Sequence, residues 1–158
     1  MLVCIRRARS MKRRDRAAWW LGRACHLLGD MAVPARTRGV WHLAGDPLET
    51  FIDAQDDATL TALAAKPSGT DWPDDPAAIA DLLANASAKL PADTTRTPWG
   101  RIAFERFGRG VHLSTDDVAS QADALIPLAV EATAALLRTV PPPNQHAYAR
   151  ARAAPRDD

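Results

Sequence analysis

The sequence predicts an all-α protein, a helical bundle with a kinked C-terminal helix. Three observations support this fold class. Alanine is abundant while valine and isoleucine are scarce, which favours helix. Apolar residues recur at helical spacing in several segments, and residues typical of helix N-caps precede those segments. The chain has 158 residues, of which 47% are hydrophobic, so it is long enough to bury one sizeable core.

The first 16 residues are predicted to be a basic, disordered N-terminal arm. Asp15 is the only acidic residue in this arm, and its seven basic residues are Arg6, Arg7, Arg9, Lys12, Arg13, Arg14 and Arg16. Runs of like charge are most often solvated. A phosphate- or lipid-headgroup-binding arm is the alternative. No aromatic residue interrupts the basic run, so the sequence does not indicate a nucleic-acid partner that stacks its bases here.

A single helical domain is expected over residues 17–140. Its first helix is predicted from about Arg14 to Met31, because apolar residues recur there at helical spacing. Pro34 is expected to end this helix. A loop over residues 35–45 then returns His42 towards the helix end.

The later helices are predicted from their starting residues. Asp46 is expected to cap a helix in which Pro47 takes the first position and Glu49 completes a capping box. Asp75 before Pro76 and Ser114 before Asp117 predict two further starts. Pro127 should kink the last helix near Ile126. The three prolines at 141–143 end it, and residues 141–158 are predicted to be a disordered tail.

Two pairs of potential metal ligands stand out. His26 and Asp30 are four residues apart on one helix, so they share a face, and imidazole nitrogen and carboxylate oxygen are both zinc ligands. A helix-surface hydrogen bond is the alternative for this pair. His42 and Asp46 form the second pair. Capping competes with metal binding at Asp46, because an aspartate that accepts amide hydrogens is a poorer ligand.

These residues belong to segments that resemble the bacterial zinc-dependent phospholipase C family, which is related to the fungal single-strand-specific nucleases. The segments are 21–24, 26–34, His42 and 45–49, and residues 121–130 and 134–137 are similar to that family's last helix. The resemblance covers residues 17–53 and 115–138. It implies an all-α zinc-dependent phosphoester hydrolase with a phosphoester or phospholipid substrate. It also implies that His26, Asp30, His42 and Asp46 are metal ligands, with Arg36 and Glu49 beside them.

The sequence departs from the family pattern at several ligand positions. Arg36 stands where the family usually has a histidine ligand, and a guanidinium has no lone pair for a metal. The family also takes ligands from a segment before this helix, where the present chain has no histidine and only Asp15 as an acid. The chain is therefore predicted to be a truncated or degenerate hydrolase. The alternative is a non-catalytic helical interaction module or fragment without metal, in which Arg36 pairs with Asp30 or Asp46.

Localisation is predicted from the N-terminal residues. Residues 1–5 are too short an apolar segment for a signal peptide, and arginines follow them rather than precede them. No stretch reaches the length of a transmembrane helix. The chain as written is expected in the cytoplasm, and a secreted protein is expected if the chain is an N-terminally truncated fragment. The sequence does not indicate an oligomeric state.

Overall fold

The structure is a computed structural model that describes residues 1–10, 14–40, 45–95 and 110–140. Most of these residues are helical. No strand occurs within these ranges, so the predicted all-α class is confirmed. The helices are α1 (Leu2–Ser10), α2 (Arg14–Asp30), α3 (Pro34–Thr37), α4 (Pro47–Asp53), α5 (Asp57–Ala64), α6 (Pro76–Ala88) and α7 (Thr115–Thr139).

The long helix α7 organises the bundle, since α2, α4, α5 and α6 all pack against it. The main core forms where α2, α6 and α7 meet. Leu28, Ile79, Leu83 and Leu136 are fully buried there. Each such side chain contributes about 1.5–3 kcal/mol when it leaves water. A second apolar cluster joins α4 to the first half of α7 around Leu48 and Leu125.

The N-terminal segment differs from the disordered arm expected over residues 1–16. Residues 2–10 form α1, which packs against α2 and buries Cys4, Ile5 and Ala8. Ala8 lies three residues after Ile5 and four after Cys4, so the three residues make one apolar stripe on a helix otherwise rich in arginine. Arg9 Nη2 also donates a hydrogen bond of 2.6 Å to the carbonyl of Thr139 at the end of α7. The high arginine content of this segment led to the prediction of a disordered arm and not of a helix with an apolar stripe. Residues 11–13 lie outside the described residues.

The helix boundaries agree with the predicted starts in most places. Helix α2 spans the predicted segment to within one residue. The predicted loop over 35–45 instead begins with the short helix α3, in which Pro34 occupies the first turn, where its missing N–H does no harm. Gly39 follows this helix with a φ of 65°, a conformation that favours glycine.

The predicted caps at Asp46, Asp75 and Ser114 are confirmed. Each side chain accepts a hydrogen bond from the first turn of its helix, and Ser114 and Asp117 form a full capping box. Helix α7 continues through Pro127, and the kink expected there stays a prediction. The predicted tail over 141–158 lies outside the described residues. Among the helices described here, none combines the length and apolar character that crossing a membrane requires.

Candidate functional site

Asp30, one of the two predicted ligands on α2, lies at the rim of a groove between the end of α2, α3 and α6. Its volume is about 710 Å³. The groove is lined mainly by apolar side chains and the backbone of Gly39, with four polar residues among them. The lining residues are Leu27, Asp30, Met31, Ala35, Arg36, Thr37, Gly39, Val40, Ala84, Asn85 and Ala88.

Arg36 forms the centre of the charged rim. It extends from α3 between the end of α2 and the start of α4. Its Nη2 and Nε donate to the same oxygen, Oε1 of Glu49, at 2.8 and 3.1 Å. Nε also lies 3.5 Å from Oδ1 of Asp30. One guanidinium therefore joins carboxylates from two different helices.

The electrostatics of this rim favour the charged arginine. The hydrogen bond to Glu49 is the largest influence raising the pKa of Arg36 above its ordinary value. Partial burial opposes this effect, and the nearby charges of Glu49, Asp30 and Asp46 add to it. Arg36 thus holds a permanent positive charge among three carboxylates.

His26 and Asp30 share a helix face as predicted, but they interact weakly. His26 Nε2 lies 3.9 Å from Asp30 Oδ2, which is too long for a hydrogen bond. The His26 side chain is 77% exposed, whereas that of Asp30 is 25% exposed. Asp30 therefore faces both the imidazole and the guanidinium, and only the guanidinium approaches it from the groove side.

Of the second predicted pair, His42 and Asp46, only Asp46 lies within the described residues. Asp46 is 4% exposed, and its Oδ1 accepts hydrogen bonds from the amides of Leu48 and Glu49 at 2.8 and 3.4 Å. The carboxylate thus acts as a helix cap, the alternative that competed with metal binding. His42, the other member of the pair, lies outside the described residues.

Zinc sites in proteins normally use three or four protein ligands. Within the described ranges, no three His, Cys, Asp or Glu side chains stand close enough to share one metal ion. His26 and Asp30 supply two potential ligands, and the Arg36 guanidinium, which lies 3.5 Å from Asp30, cannot coordinate a metal. In the described part of the site, the interaction observed at Asp30 is a salt bridge with Arg36.

Two of the arrangements that were not predicted from the sequence involve charged residues near predicted positions or a histidine. Glu49 pairs with Arg36, although the capping-box pattern had assigned it to its own helix. The second arrangement centres on Asp93, which is buried and accepts hydrogen bonds from Thr95 and from the amide of Leu113.

Asp93 also anchors the exposed ring of His112. His112 Nδ1 lies 3.3 Å from Oδ2 of Asp93. Burial alone would raise the pKa of Asp93, but the hydrogen bonds from Thr95 and Leu113 and the nearby His112 together lower it. Asp93 and His112 are nineteen residues apart with no recognisable motif, so the sequence carried no signal for this contact.

Comparisons with models of protein families, with curated proteins and with solved structures each found no match. The resemblance to the zinc-dependent phospholipase C family therefore stays a prediction from the residues quoted in the sequence analysis.

Proposed function

We propose that this chain is a non-catalytic helical module related to zinc-dependent phospholipase C, in which the Arg36 guanidinium takes the place of a metal ion. The observation that carries this proposal is the bridge from Asp30 through Arg36 to Glu49. In a zinc enzyme of this kind the cation would hold carboxylates and imidazoles from several helices together. In this chain the positively charged Arg36 side chain pairs with a carboxylate from α2 and a carboxylate from α4.

Electrostatic repulsion supports the proposal. A zinc ion bound to Asp30 would lie a few ångströms from the guanidinium, which stays protonated at any workable pH. Two like unit charges 4 Å apart repel by about 4 kcal/mol at the effective dielectric constant of a protein surface, and a divalent ion doubles this. Arg36 would have to leave Asp30 before zinc could bind.

The zinc-dependent phosphoester hydrolase is the second candidate. The shared face of His26 and Asp30 beside the groove favours it, since an imidazole and a carboxylate are available there. With zinc bound, the metal would polarise a phosphoester and activate a water. This function requires further ligands from His42, from a neighbouring chain segment or from a partner.

Metal content separates the two candidates. The protein is purified without chelator, and zinc is measured per mole of native chain and of the H26A variant. The proposal expects well under one zinc per chain, with no change in H26A. One zinc per native chain that is lost in H26A would instead establish the metal site and refute the proposal.

A further inference from the structure

We propose that the hairpin of α1 and α2 binds the surface of an anionic lipid bilayer. The contact surface, called the hairpin patch, consists of Leu2, Val3, Arg7, Trp19, Trp20 and Arg23. This surface is separate from the Arg36 bridge, so the inference does not depend on the proposed function.

The charge of the chain is strongly polarised towards this hairpin. Residues 1–30, which include both helices of the hairpin, carry a net charge of +6, whereas residues 31–158 carry a net charge of −5. The overall charge of +1 conceals this separation. Anionic bilayers attract clustered basic residues, and each basic residue near the surface strengthens binding about fivefold.

Aromatic rings from α2 lie directly among these arginines. The guanidinium of Arg7 lies 4.8 Å from the ring centroid of Trp20, and that of Arg23 lies 5.0 Å from the ring centroid of Trp19. Such cation–π pairs bring charge and aromatic surface into one patch. The fold thus supplies the aromatic residues that the basic run lacks in the sequence.

Apolar side chains are also exposed on the hairpin. Leu2 is 44% exposed, Val3 63% and Trp19 55%. Tryptophan is enriched at the interface between water and lipid, where its ring is partly apolar and partly polar. Basic helices with exposed apolar residues bind membranes by combining buried apolar area with attraction to anionic lipid.

The same details favour a bilayer over a nucleic acid. Arg23 lies over the ring of Trp19, and Trp20 packs against that ring edge-to-face at a centroid distance of 4.7 Å. Both contacts limit the ring surface on which a base could stack. Leu2 and Val3 have no hydrogen-bonding side chains for a nucleic acid but can enter the acyl boundary of a membrane.

Vesicle binding of the full chain tests the proposal. Vesicles of phosphatidylcholine alone are compared with vesicles containing 30% phosphatidylserine, by sedimentation at low salt. We expect binding only with phosphatidylserine and a blue shift of tryptophan fluorescence. R23Q should weaken binding about fivefold, and W19S should abolish the larger part of the blue shift.

K66Q is the control, because it also removes one positive charge and Lys66 is an exposed residue far from the hairpin. Lys66 pairs with Asp123 on α7, which lies sixteen residues before Thr139, the residue that contacts Arg9 of the hairpin. K66Q should bind as the native chain does, and circular dichroism checks that each variant remains helical. Equal loss in K66Q and R23Q would overturn the proposal. So would equal binding to both kinds of vesicle, no binding to either, or tighter binding to single-stranded DNA than to phosphatidylserine vesicles at the same salt.

Discussion

Replacing Arg36 by methionine should destabilise the protein in a salt-dependent manner. Methionine keeps much of the apolar stem that lines the groove but removes the guanidinium. Asp30 and Glu49 then lose their shared cation, and the carboxylates of α2 and α4 face each other without compensation. The expected result is a lower free energy of unfolding at low salt and a smaller loss at high salt.

The size of this effect follows from the exposure of the three side chains. Arg36 is 42% exposed, Glu49 36% and Asp30 25%, so solvent screens both ion pairs. Ion pairs of this kind contribute about 0.2–1 kcal/mol each. Arg36→Met should therefore cost about 1 kcal/mol, or a fall of about 2–4 °C in Tm for a chain of this size.

The interaction energy of Arg36 with Glu49 can be measured by urea denaturation. The native chain, R36M, E49Q and the double variant are compared at 0.05 M and 1 M NaCl. At low salt the double-mutant cycle should give a coupling of about 0.5 kcal/mol. At 1 M NaCl the Debye length falls to about 3 Å and the coupling should shrink. Zero coupling at low salt, or coupling that is unchanged at high salt, would refute the assignment of Arg36 and Glu49 as an ion pair.

Three further results are expected. Since the folded pKa of Asp93 is lowered, its carboxylate stabilises the fold above its unfolded pKa of about 3.9, and this contribution is lost as the pH falls through the folded value. D93N should thus show a shallower loss of stability on acidification below about pH 4 in urea titrations, and an unchanged acid slope would count against the hydrogen bonds at Asp93. Leu28→Ala should cost about 2–5 kcal/mol in urea denaturation, because Leu28 is fully buried between α2, α6 and α7; a cost below 1 kcal/mol would contradict that packing. Ser114→Ala should cost about 1 kcal/mol by loss of the α7 cap, whereas the exposed Ser120→Ala should stay within about 0.5 kcal/mol, and equal effects would argue against capping.

Local sequence signals predicted much of the fold. Caps such as Asp46, Asp75 and Ser114 act within four residues, so their patterns are readable from the chain itself. Helix α1 was missed because its apolar stripe of Cys4, Ile5 and Ala8 is short. The helix is stabilised by its packing against α2. This tertiary contact cannot be predicted from the charge pattern of residues 1–16 alone.

The candidate site was predicted in part. His26 and Asp30 share a face because helical geometry alone dictates it. The partner of Arg36 depends on how α3 and α4 are placed, and the sequence suggested Asp30 or Asp46 where the structure has Asp30 and Glu49. Asp46 is near enough to reinforce the charge of Arg36, but its carboxylate caps α4. Long-range pairs of this kind require the tertiary arrangement.

Anomalous diffraction at the zinc edge from crystals soaked in zinc tests the central claim most directly. We predict that the guanidinium of Arg36 remains between Asp30 and Glu49, with no anomalous peak beside the His26 imidazole. A zinc peak bound by His26 and Asp30, with Arg36 turned away from both carboxylates, would contradict the replacement of metal by arginine.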